Sequence, residues 1–330
     1  MNILLIQTAF IGDVILATPV IEQLSAHIPG VKIDFLLRAG NEDLLANNPG
    51  LSEILIWNKK ENKLGNLVKL IKQIRAKKYD VVINMHRFAS SGLITFLSGA
   101  KQKRGFNKNP FSFCYTTRVK HELEFGKHEV ERNLELVKGI TSGGFTRPKL
   151  YPATNDFKAV EQFSKSNGSL LNYSCIAPTS VWFTKQYPKE KWVELIALVK
   201  TPMIYLLGAP SDTETCEWIR SNAKNKMVIN LCGKLSFLES AALMRDAAMN
   251  YVNDSAPLHI ASAMNAKVTA IFCSTIPAFG FGPLSYHSKV VETKEMLKCR
   301  PCGLHGYKAC PEGHFKCAWG IEVEQIAGSN

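Results

Sequence analysis

The sequence predicts an α/β protein built from two doubly wound domains that face each other across a cleft. Short Val, Ile and Leu runs alternate with helical stretches along the whole chain, which is the pattern of stacked βαβ units. At 330 residues the chain is longer than one hydrophobic core usually supports. A segment rich in Gly, Thr and Pro at 141–155 separates two series of units. We therefore expect one domain in residues 1–150 and a second in residues 151–330.

The first series of units occupies residues 1–150. Strands are expected where runs rich in Val, Ile and Leu meet turn residues, and helices where apolar side chains recur at helical spacing. Pro19 suits the first turn of a helix capped by Thr18, so residues 8–18 are expected to form a long loop or a short bent helix. The expected strands are 3–8, 31–37, 54–57 and 81–85, and the expected helices are 19–27, 64–77, 90–97 and 129–140.

The second series repeats this architecture in residues 151–330 without repeating the sequence. The same two criteria locate its strands and helices. The expected strands are 173–177, 203–207, 227–231, 251–253 and 268–272, and the expected helices are 189–199, 213–222, 236–246 and 257–264.

A single carboxylate, Asp13, stands beside Gly12 in the small-residue stretch after the first strand. Loops at the carboxyl ends of parallel strands line the binding crevice of such sheets, so Asp13 is a candidate functional acid. Asp is also a preferred helix N-cap, and its charge favours the positive end of a helix. A loop that reaches residue 18 would weaken the capping explanation, but the local sequence leaves both roles open.

One loop of the second domain, residues 177–188, is a candidate anion site. The usual dinucleotide and P-loop phosphate motifs, G-x-G-x-x-G and G-x-x-x-x-G-K-[ST], are absent from the places they would occupy. This loop follows an expected strand and offers the hydroxyls of Thr179 and Ser180 together with Lys185. Lys185 is well placed to contact phosphate, although a solvent-exposed side chain is the commoner outcome for any single lysine.

A second candidate anion site is the start of the helix expected at 257–264. Asp254 or Ser255 would cap this helix, and Pro257 in its first turn leaves backbone N–H groups from Ala256 onwards free for an anion. His259 falls in the first two turns. Taken alone, it would more often be a hydrogen-bonded structural histidine than a catalytic one.

The formal net charge of +12 is concentrated in the first half. Residues 1–150 hold 22 Lys and Arg against 13 Asp and Glu, a balance of +9, and residues 151–330 hold 18 against 15. Clusters at 69–78 and 101–104 suggest an anionic partner, for which phosphorylated lipid, nucleic acid and a membrane surface are the candidates. The simpler explanation, a solvated helix face, is strong for 69–78 because its apolar residues recur at helical spacing.

The start of the chain lacks a basic region followed by a long apolar run, so we expect a cytoplasmic protein without a processed leader. The longest uncharged stretch, 268–288, contains Pro277 and Pro283 and is not expected to form one membrane-spanning helix.

The nine cysteines fall into two groups. Five are scattered and are expected to be reduced thiols of a cytoplasmic protein. The other four lie in a Cys-rich segment, 299–317, where C-x-x-C spacing followed by two more cysteines could build a closed zinc site, with His305 or His314 as substitute ligands. A disulfide and simple thiol packing are the alternatives. The four cysteines are Cys299, Cys302, Cys310 and Cys317.

Several motifs occur in order across almost the whole chain. They are Ile11-Gly-Asp-Val14 with Pro19, Arg104-Gly-Phe106, His128-Glu-Val-Glu-Arg-Asn133, Trp182 with Thr184-Lys-Gln-Tyr-Pro188, and Asn253-Asp-Ser-Ala-Pro-Leu-His-Ile-Ala261. In this combination the chain resembles the ADP-heptose:lipopolysaccharide heptosyltransferases, the glycosyltransferase family 9 enzymes with the two-domain GT-B fold.

The resemblance implies an inverting transfer of heptose from ADP-heptose to the lipopolysaccharide inner core, without a catalytic metal or another cofactor. Asp13 matches the general base and Lys185 the phosphate-contacting lysine. The start of the helix at Asp254, Ser255 and Ala256 matches the diphosphate and sugar site, and His259 would support that loop or contact donor phosphate.

The resemblance also assigns the two domains. The first would hold the anionic acceptor, with Arg87 and Arg104 among its contacts, and the second would hold the nucleotide sugar. An acceptor of this kind favours a peripheral position on the inner face of the cytoplasmic membrane over nucleic-acid binding.

Two positions depart from the family pattern. Ala256 replaces a usual Gly, which affects how closely backbone approaches phosphate, and the usual Pro-Gly-Ala start of the lysine loop is Pro178-Thr-Ser180. These changes keep two alternatives open: a GT-B transferase for another nucleotide sugar, and a non-catalytic protein that binds sugar nucleotide or lipopolysaccharide.

Overall fold

The computed structural model describes residues 1–60, 62–123, 126–166, 172–224 and 227–328. The chain divides into two compact units, Met1–Tyr151 and Pro152–Asn330. No helix in the described ranges is long and apolar enough to cross a membrane.

The first unit contains a parallel sheet of six strands in the order β3-β2-β1-β4-β5-β6. The central strand β1 is buried along almost its whole length, which explains its continuous apolar sequence. The strands are β1 (Asn2–Ile6), β2 (Lys32–Arg38), β3 (Glu53–Trp57), β4 (Val81–Asn84), β5 (Gln102–Phe106) and β6 (Thr117–Val119), and the helices are α1 (Ile11–His27), α2 (Lys63–Ala76), α3 (Ala89–Leu97) and α4 (Glu129–Glu135).

The second unit repeats the architecture, with the strand order β12-β11-β10-β7-β8-β9. All neighbouring strands in this sheet are parallel. The strands are β7 (Tyr173–Ala177), β8 (Met203–Leu206), β9 (Met227–Asn230), β10 (Met249–Asn253), β11 (Val268–Phe272) and β12 (Ser288–Glu292). The helices are α5 (Thr154–Ser166), α6 (Lys189–Leu198), α7 (Thr213–Asn222), α8 (Phe237–Asp246), α9 (Ala256–Ala263), α10 (Lys316–Trp319) and α11 (Val323–Ala327).

The strand orders fix where each sheet can bind a ligand. In the first unit the order reverses between β1 and β4, and in the second it reverses between β7 and β10. Chain segments leave the carboxyl ends of these strand pairs in opposite directions and open a crevice there. The predicted fold class, two doubly wound parallel sheets, is confirmed.

Of the two expectations for residues 8–18, the long loop is wrong; a helix is present, but it is not short, because α1 extends from Ile11 to His27 with Pro19 inside it. Proline has no backbone N–H to donate to the carbonyl of Ile15. The Thr18 hydroxyl donates to that carbonyl at 2.8 Å, which satisfies the oxygen and lets the helix continue. Thr18 therefore supports the helix interior and does not cap its start.

Other elements also differ from expectation. The helix expected at 129–140 ends at Glu135, and the chain turns at Gly139, whose φ is +78°. The end of the expected linker, from Thr154, belongs to α5. At the start of this helix the Asp156 carboxylate accepts a 2.6 Å hydrogen bond from the Ala153 N–H. Strands β5, β6 and β12 were not expected, because their sequences are rich in polar and charged residues.

Candidate functional site

Asp13 lies in the first turn of α1, just beyond the carboxyl end of β1. Its Oδ2 accepts a 3.2 Å hydrogen bond from the Phe10 backbone N–H, so it caps the helix start. Burial raises the pKa of Asp13 to about 6, and the negative charge of Glu129 adds to this shift. The Phe10 hydrogen bond and the charge of Arg87 oppose it. One carboxylate thus combines the helix contact with a pKa suited to accepting a proton near neutral pH.

The neighbouring carboxylate Glu129 is buried at the start of α4. Burial alone would raise its pKa, but a hydrogen bond from His121 and the charge of Arg132 hold the pKa below its usual range. Arg132 Nε donates to Glu129 Oε2 at 2.7 Å. Because Asn133 also donates to the Leu16 carbonyl at 3.1 Å, α4 is tied to the helix that carries Asp13.

Cationic side chains surround the same sheet edge. Lys59 Nζ donates to the Thr8 carbonyl at 3.1 Å, and the Thr8 hydroxyl lies 3.0 Å from His86 Nδ1. Burial lowers the pKa of Lys59 to about 8, and the charge of Arg38 contributes. Burial also lowers the pKa of His86 to about 4, assisted by Lys59, Arg87 and Arg38. The charges of Lys59, Arg87 and Arg38 oppose protonation of His86, so an anion bound among these cations would be stabilised.

Arg38, Lys59, His86 and Arg87 form a cationic cluster at this sheet edge, and it contains more residues than the sequence suggested. Arg87 lies in it because it follows β4, and its contact with the acceptor stays a prediction. Arg38, Lys59 and His86 were not anticipated. They come from the ends of three different strands, and only the order β3-β2-β1-β4 brings them together.

Arg104 lies elsewhere and differs from the expected acceptor contact. It is buried in β5, where Nη1 donates to the carbonyls of Leu136 and Lys138 at 2.9 and 3.0 Å. Its guanidinium therefore holds the chain segment after α4 against the sheet.

In the second unit, Lys185 and Asp254 form one ion pair at the reversal point of the sheet. Lys185 follows β7 in a 3₁₀ turn, Phe183–Lys185, and Asp254 directly follows β10. Lys185 Nζ lies 2.7 Å from Asp254 Oδ2, and only 15% and 7% of the two side chains are exposed. The Thr275 hydroxyl donates to the same carboxylate oxygen at 2.6 Å.

The remaining predicted residues of the second unit lie around this pair. Asn253 links the two loops, because its Oδ1 accepts from the Tyr187 N–H at 3.0 Å and its Nδ2 donates to the Thr179 carbonyl at 3.5 Å. The Ser180 carbonyl accepts from Gln186 at 2.6 Å. These contacts hold the lysine loop against the end of β10.

Helix α9 begins at Ala256, with Ser255 as its N-cap residue and Pro257 in its first turn. The Ser255 side chain makes no capping hydrogen bond to this helix. Pro257 has no N–H and the Leu258 N–H donates to the Ser255 carbonyl at 3.1 Å, so the Ala256 N–H is the first-turn donor that faces the segment containing Asp254. His259 is buried in α9, with its ring 6.4 Å from that of Phe281.

The Cys-rich segment supports the lysine loop, a role that its cysteine pattern did not predict. The Thr184 N–H donates to the Tyr307 carbonyl at 3.1 Å, and the Tyr307 N–H donates to the Thr184 hydroxyl at 2.8 Å. Gly306 has φ +74°, and a Cβ there would lie 2.7 Å from the Thr184 Oγ1 and 3.3 Å from Lys185 Cγ. The close approach requires glycine.

We expect Gly306→Ala to lower the free energy of unfolding by more than Gly313→Ala does. Both glycines are in the left-handed region, with φ of +74° and +70°, where a Cβ costs about 1–2 kcal/mol. A Cβ at Gly313 meets nothing within 4 Å, whereas one at Gly306 overlaps Thr184. Urea unfolding of the two variants measures the difference. Equal losses would contradict a tight contact at Gly306.

All nine cysteines are free thiols. In the Cys-rich segment, Cys299 Sγ lies 3.9 Å from His314 Nε2, and the Phe315 N–H lies 3.4 Å from Cys310 Sγ. Among the residues that the structure describes, no group of three or more His, Cys, Asp and Glu side chains is placed to hold a metal ion. Cys299, Cys302, Cys310 and Cys317 nevertheless line one pocket together with His314, and a zinc site, a disulfide and thiol packing all stay predictions.

Comparison with known proteins gives consistent matches. The model of glycosyltransferase family 9 (heptosyltransferase) matches residues 67–306. Lipopolysaccharide heptosyltransferase 3 of Escherichia coli (strain K12) is 29% identical over 287 residues, covering 81% of this chain and 81% of that protein. Lipopolysaccharide heptosyltransferase 1 of Pseudomonas aeruginosa is 22% identical over 329 residues, covering 92% and 86%.

Solved structures match the fold over nearly full length. The structure of E. coli ADP-heptose LPS heptosyltransferase II has a TM-score of 0.82 at 21% identity, covering 100% of this chain and 97% of that chain. The glycosyltransferase family 9 structure from Veillonella parvula DSM 2008 has a TM-score of 0.87 at 22% identity, covering 99% and 95%.

Proposed function

The chain belongs to glycosyltransferase family 9, and on that premise we propose that it transfers a heptose from ADP-heptose to a hydroxyl of the lipopolysaccharide inner core, with inversion at the anomeric carbon. Membership makes it a glycosyltransferase. The choice of sugar and acceptor is supported by the relatives, which are named as lipopolysaccharide heptosyltransferases.

The observation that carries the proposed chemistry is the Asp13 carboxylate at the carboxyl end of β1, with a pKa raised to about 6 by burial. The acceptor oxygen would attack the anomeric carbon and form the new glycosidic bond. Its proton would pass to Asp13, while the bond from the anomeric carbon to the β-phosphate oxygen breaks and ADP leaves with the electron pair. A single ionised carboxylate is sufficient for direct inversion, because no covalent sugar intermediate forms.

Lys185 and Asp254 are proposed to hold the donor. The Lys185 ammonium has three N–H donors, so it can contact Asp254 and still donate to diphosphate oxygens. Lys185 and Thr275 both contact Oδ2 of Asp254, so Oδ1 is proposed to accept from a sugar hydroxyl. The Ala256 N–H and the positive end of the α9 dipole would stabilise the negative charge that develops on the leaving diphosphate.

Arg87, Arg38 and Lys59 are proposed to bind phosphate or carboxylate groups of the acceptor. Their charges already lower the pKa of His86 by repulsion, and an anion would remove that repulsion. The proposed division of labour is therefore an acceptor site in the first unit and a donor site in the second. The proposed reaction requires no cofactor.

A transfer assay with a panel of donors tests the proposal. Purified protein would be offered ADP-heptose, UDP-glucose or GDP-mannose with a truncated lipopolysaccharide core, and products would be identified by mass spectrometry. We expect addition of one heptose from ADP-heptose alone. Transfer from another donor without transfer from ADP-heptose would overturn the assignment of donor. Binding of ADP-heptose without any transfer would instead favour a non-catalytic binding protein.

We expect Arg38→Ala to raise KM for a phosphorylated acceptor about tenfold, because it removes a charge-assisted contact. Arg38 is the cleanest choice because its charge does not contribute to the pKa of Asp13. KM would be measured at saturating donor and at a pH well above 6. Lys72→Ala, an exposed lysine on α2, is the matched control. An equal rise in KM with a dephosphorylated acceptor would contradict the assigned contact.

A further inference from the structure

One long segment of the first unit carries no acidic residue. Residues 81–121 contain seven Lys and Arg and neither Asp nor Glu, within a chain whose total charge is +12. Some of these cations have local partners: Arg104 binds backbone carbonyls, Lys101 pairs with Asp80, and Lys120 pairs with Glu122. Among the residues that the structure describes, none of the other cations in this segment forms an ion pair with a carboxylate.

Three phenylalanines of this segment form an aromatic cluster in which Phe96 and Phe113 are exposed and Phe111 is half-buried. Phe96 lies on α3, and Phe111 and Phe113 lie in the loop between β5 and β6. Their ring centroids are 6.1 Å (Phe96–Phe111), 6.0 Å (Phe96–Phe113) and 5.9 Å (Phe111–Phe113) apart. Phe113 is 64% exposed and Phe96 43%. Single exposed aromatic residues are common, but three in mutual contact form a patch that favours an apolar partner.

The loop that carries two of these rings is held firmly against α3. Asn109 Nδ2 donates to the carbonyls of His86 and Phe88 at 3.0 Å each. A Cβ at Gly92 would lie 2.1 Å from Asn109 Oδ1 and 2.9 Å from Phe111 Cβ, so glycine allows the loop to reach the helix. The exposed rings are therefore presented by a fixed scaffold.

Two cations flank the aromatic cluster. Lys103 and Arg118 lie close enough to Cys114 that their charges oppose the effect of burial, which raises the pKa of that thiol. Arg118 Nη2 also lies 3.5 Å from the Phe113 carbonyl oxygen. Neither cation forms an ion pair with a carboxylate in the part of the chain that the structure describes.

We propose that Phe96, Phe111, Phe113, Lys103 and Arg118 form a docking surface for a bilayer of anionic phospholipid. The rings would enter the headgroup boundary while the cations contact lipid phosphates, the combination that interfacial segments use. Nucleic acid fits less well, because the three rings pack on one another and do not present a row of open stacking faces. The inference deepens the proposed function by naming the surface that would bring the enzyme to a lipid-borne acceptor.

Vesicle co-sedimentation tests this surface without donor or acceptor, so its outcome is independent of the proposed reaction. The probes are vesicles of phosphatidylcholine and of an equimolar mixture of phosphatidylcholine and phosphatidylglycerol. We expect binding to the anionic vesicles at low ionic strength, and weaker binding at physiological ionic strength because salt screens the cations.

Two double variants separate the apolar and ionic contributions. Phe96→Ser with Phe113→Ser is expected to weaken binding to anionic vesicles about tenfold, and Lys103→Ala with Arg118→Ala about fivefold for each charge removed. The controls are Phe145→Ser, another exposed phenylalanine, and Lys69→Ala with Lys72→Ala, two exposed lysines on α2. Unfolding curves should show that every variant is folded at the assay temperature, and transfer to a water-soluble acceptor fragment should be unchanged in the docking-surface variants.

Three results would overturn the proposal. The first is no sedimentation of the wild-type protein with anionic vesicles at low ionic strength. The second is an equal loss of binding in the control and docking-surface variants. The third is an oligonucleotide that binds more tightly than the vesicles and depends on the same five residues.

Discussion

Asp13→Asn is expected to lower kcat by roughly 10²–10⁴-fold, the usual contribution of a positioned proton-transfer group. The substitution keeps an oxygen that can accept the Phe10 N–H, so the start of α1 should be retained. It removes the negative charge and most of the basicity. Asp13→Ala, which also loses the hydrogen bond at the helix start, is the companion variant. Single-turnover transfer assays and urea unfolding measure the two roles separately.

The two possible roles of Asp13, base and helix cap, predict different activities and stabilities for these two variants. If the carboxylate is the base, both variants lose activity to a similar extent, and Asp13→Ala is less stable than Asp13→Asn because it lacks the hydrogen bond at the helix start. An Asp13→Asn enzyme with nearly full kcat would show that this carboxylate merely caps α1.

The raised pKa of Asp13 also predicts how rate depends on pH. Below about pH 6 the carboxyl is protonated and no longer accepts the acceptor proton, so kcat/KM should fall tenfold per pH unit. Because Asp13→Asn does not titrate here, its low residual rate should lack this limb. A wild-type profile that stays flat down to pH 4 would contradict the assignment.

The free energy of unfolding should fall as pH rises through this range, whereas kcat/KM rises. The pKa of Asp13 is raised in the folded protein from 3.8 to about 6, so the folded state binds the proton more tightly than the unfolded chain does. Ionisation of Asp13 therefore destabilises the fold. This loss of stability grows between pH 4 and pH 6 and stays constant above pH 6. The stability of Asp13→Asn relative to the wild type should rise across this window, as urea unfolding at each pH would measure.

The sequence predicted the lone acid and the lysine loop because each follows a strongly apolar strand. Runs such as Ile3–Ile6 and 173–177 are buried on both sides of their sheets and leave a clear pattern. The sequence did not settle how α1 begins, because Pro19 suggested a helix start and the local hydrogen bond from Thr18 to Ile15, which compensates for the proline, leaves no sequence signature.

The sequence pattern did not predict the cationic cluster, for a different reason. Arg38, Lys59 and His86 are separated along the chain and become neighbours only through the order of parallel strands. Conversely, Arg104 looked like a surface cation within a basic run, yet it is buried in β5. Charged residues inside a strand hide its apolar pattern, so both β5 and the structural role of Arg104 were missed.

Lys185→Met is expected to lower kcat/KM for the donor by roughly 10²–10³-fold, because it removes a cation proposed to stabilise the leaving diphosphate. It should also destabilise the fold by about 3 kcal/mol, since Asp254 would remain buried without its counter-ion. The loss of rate and the loss of stability therefore have different origins.

The double variant, Lys185→Met with Asp254→Asn, removes both charges and should recover most of the stability, because Thr275 can still donate to the amide oxygen. It should not recover binding of ADP, measured calorimetrically at a temperature where every variant is folded. Asp254→Asn alone keeps the lysine and should retain ADP binding while it loses contacts to the sugar. If the double variant bound ADP as tightly as the wild type, Lys185 would serve only as the partner of Asp254, and the phosphate contacts would have to come from the start of α9.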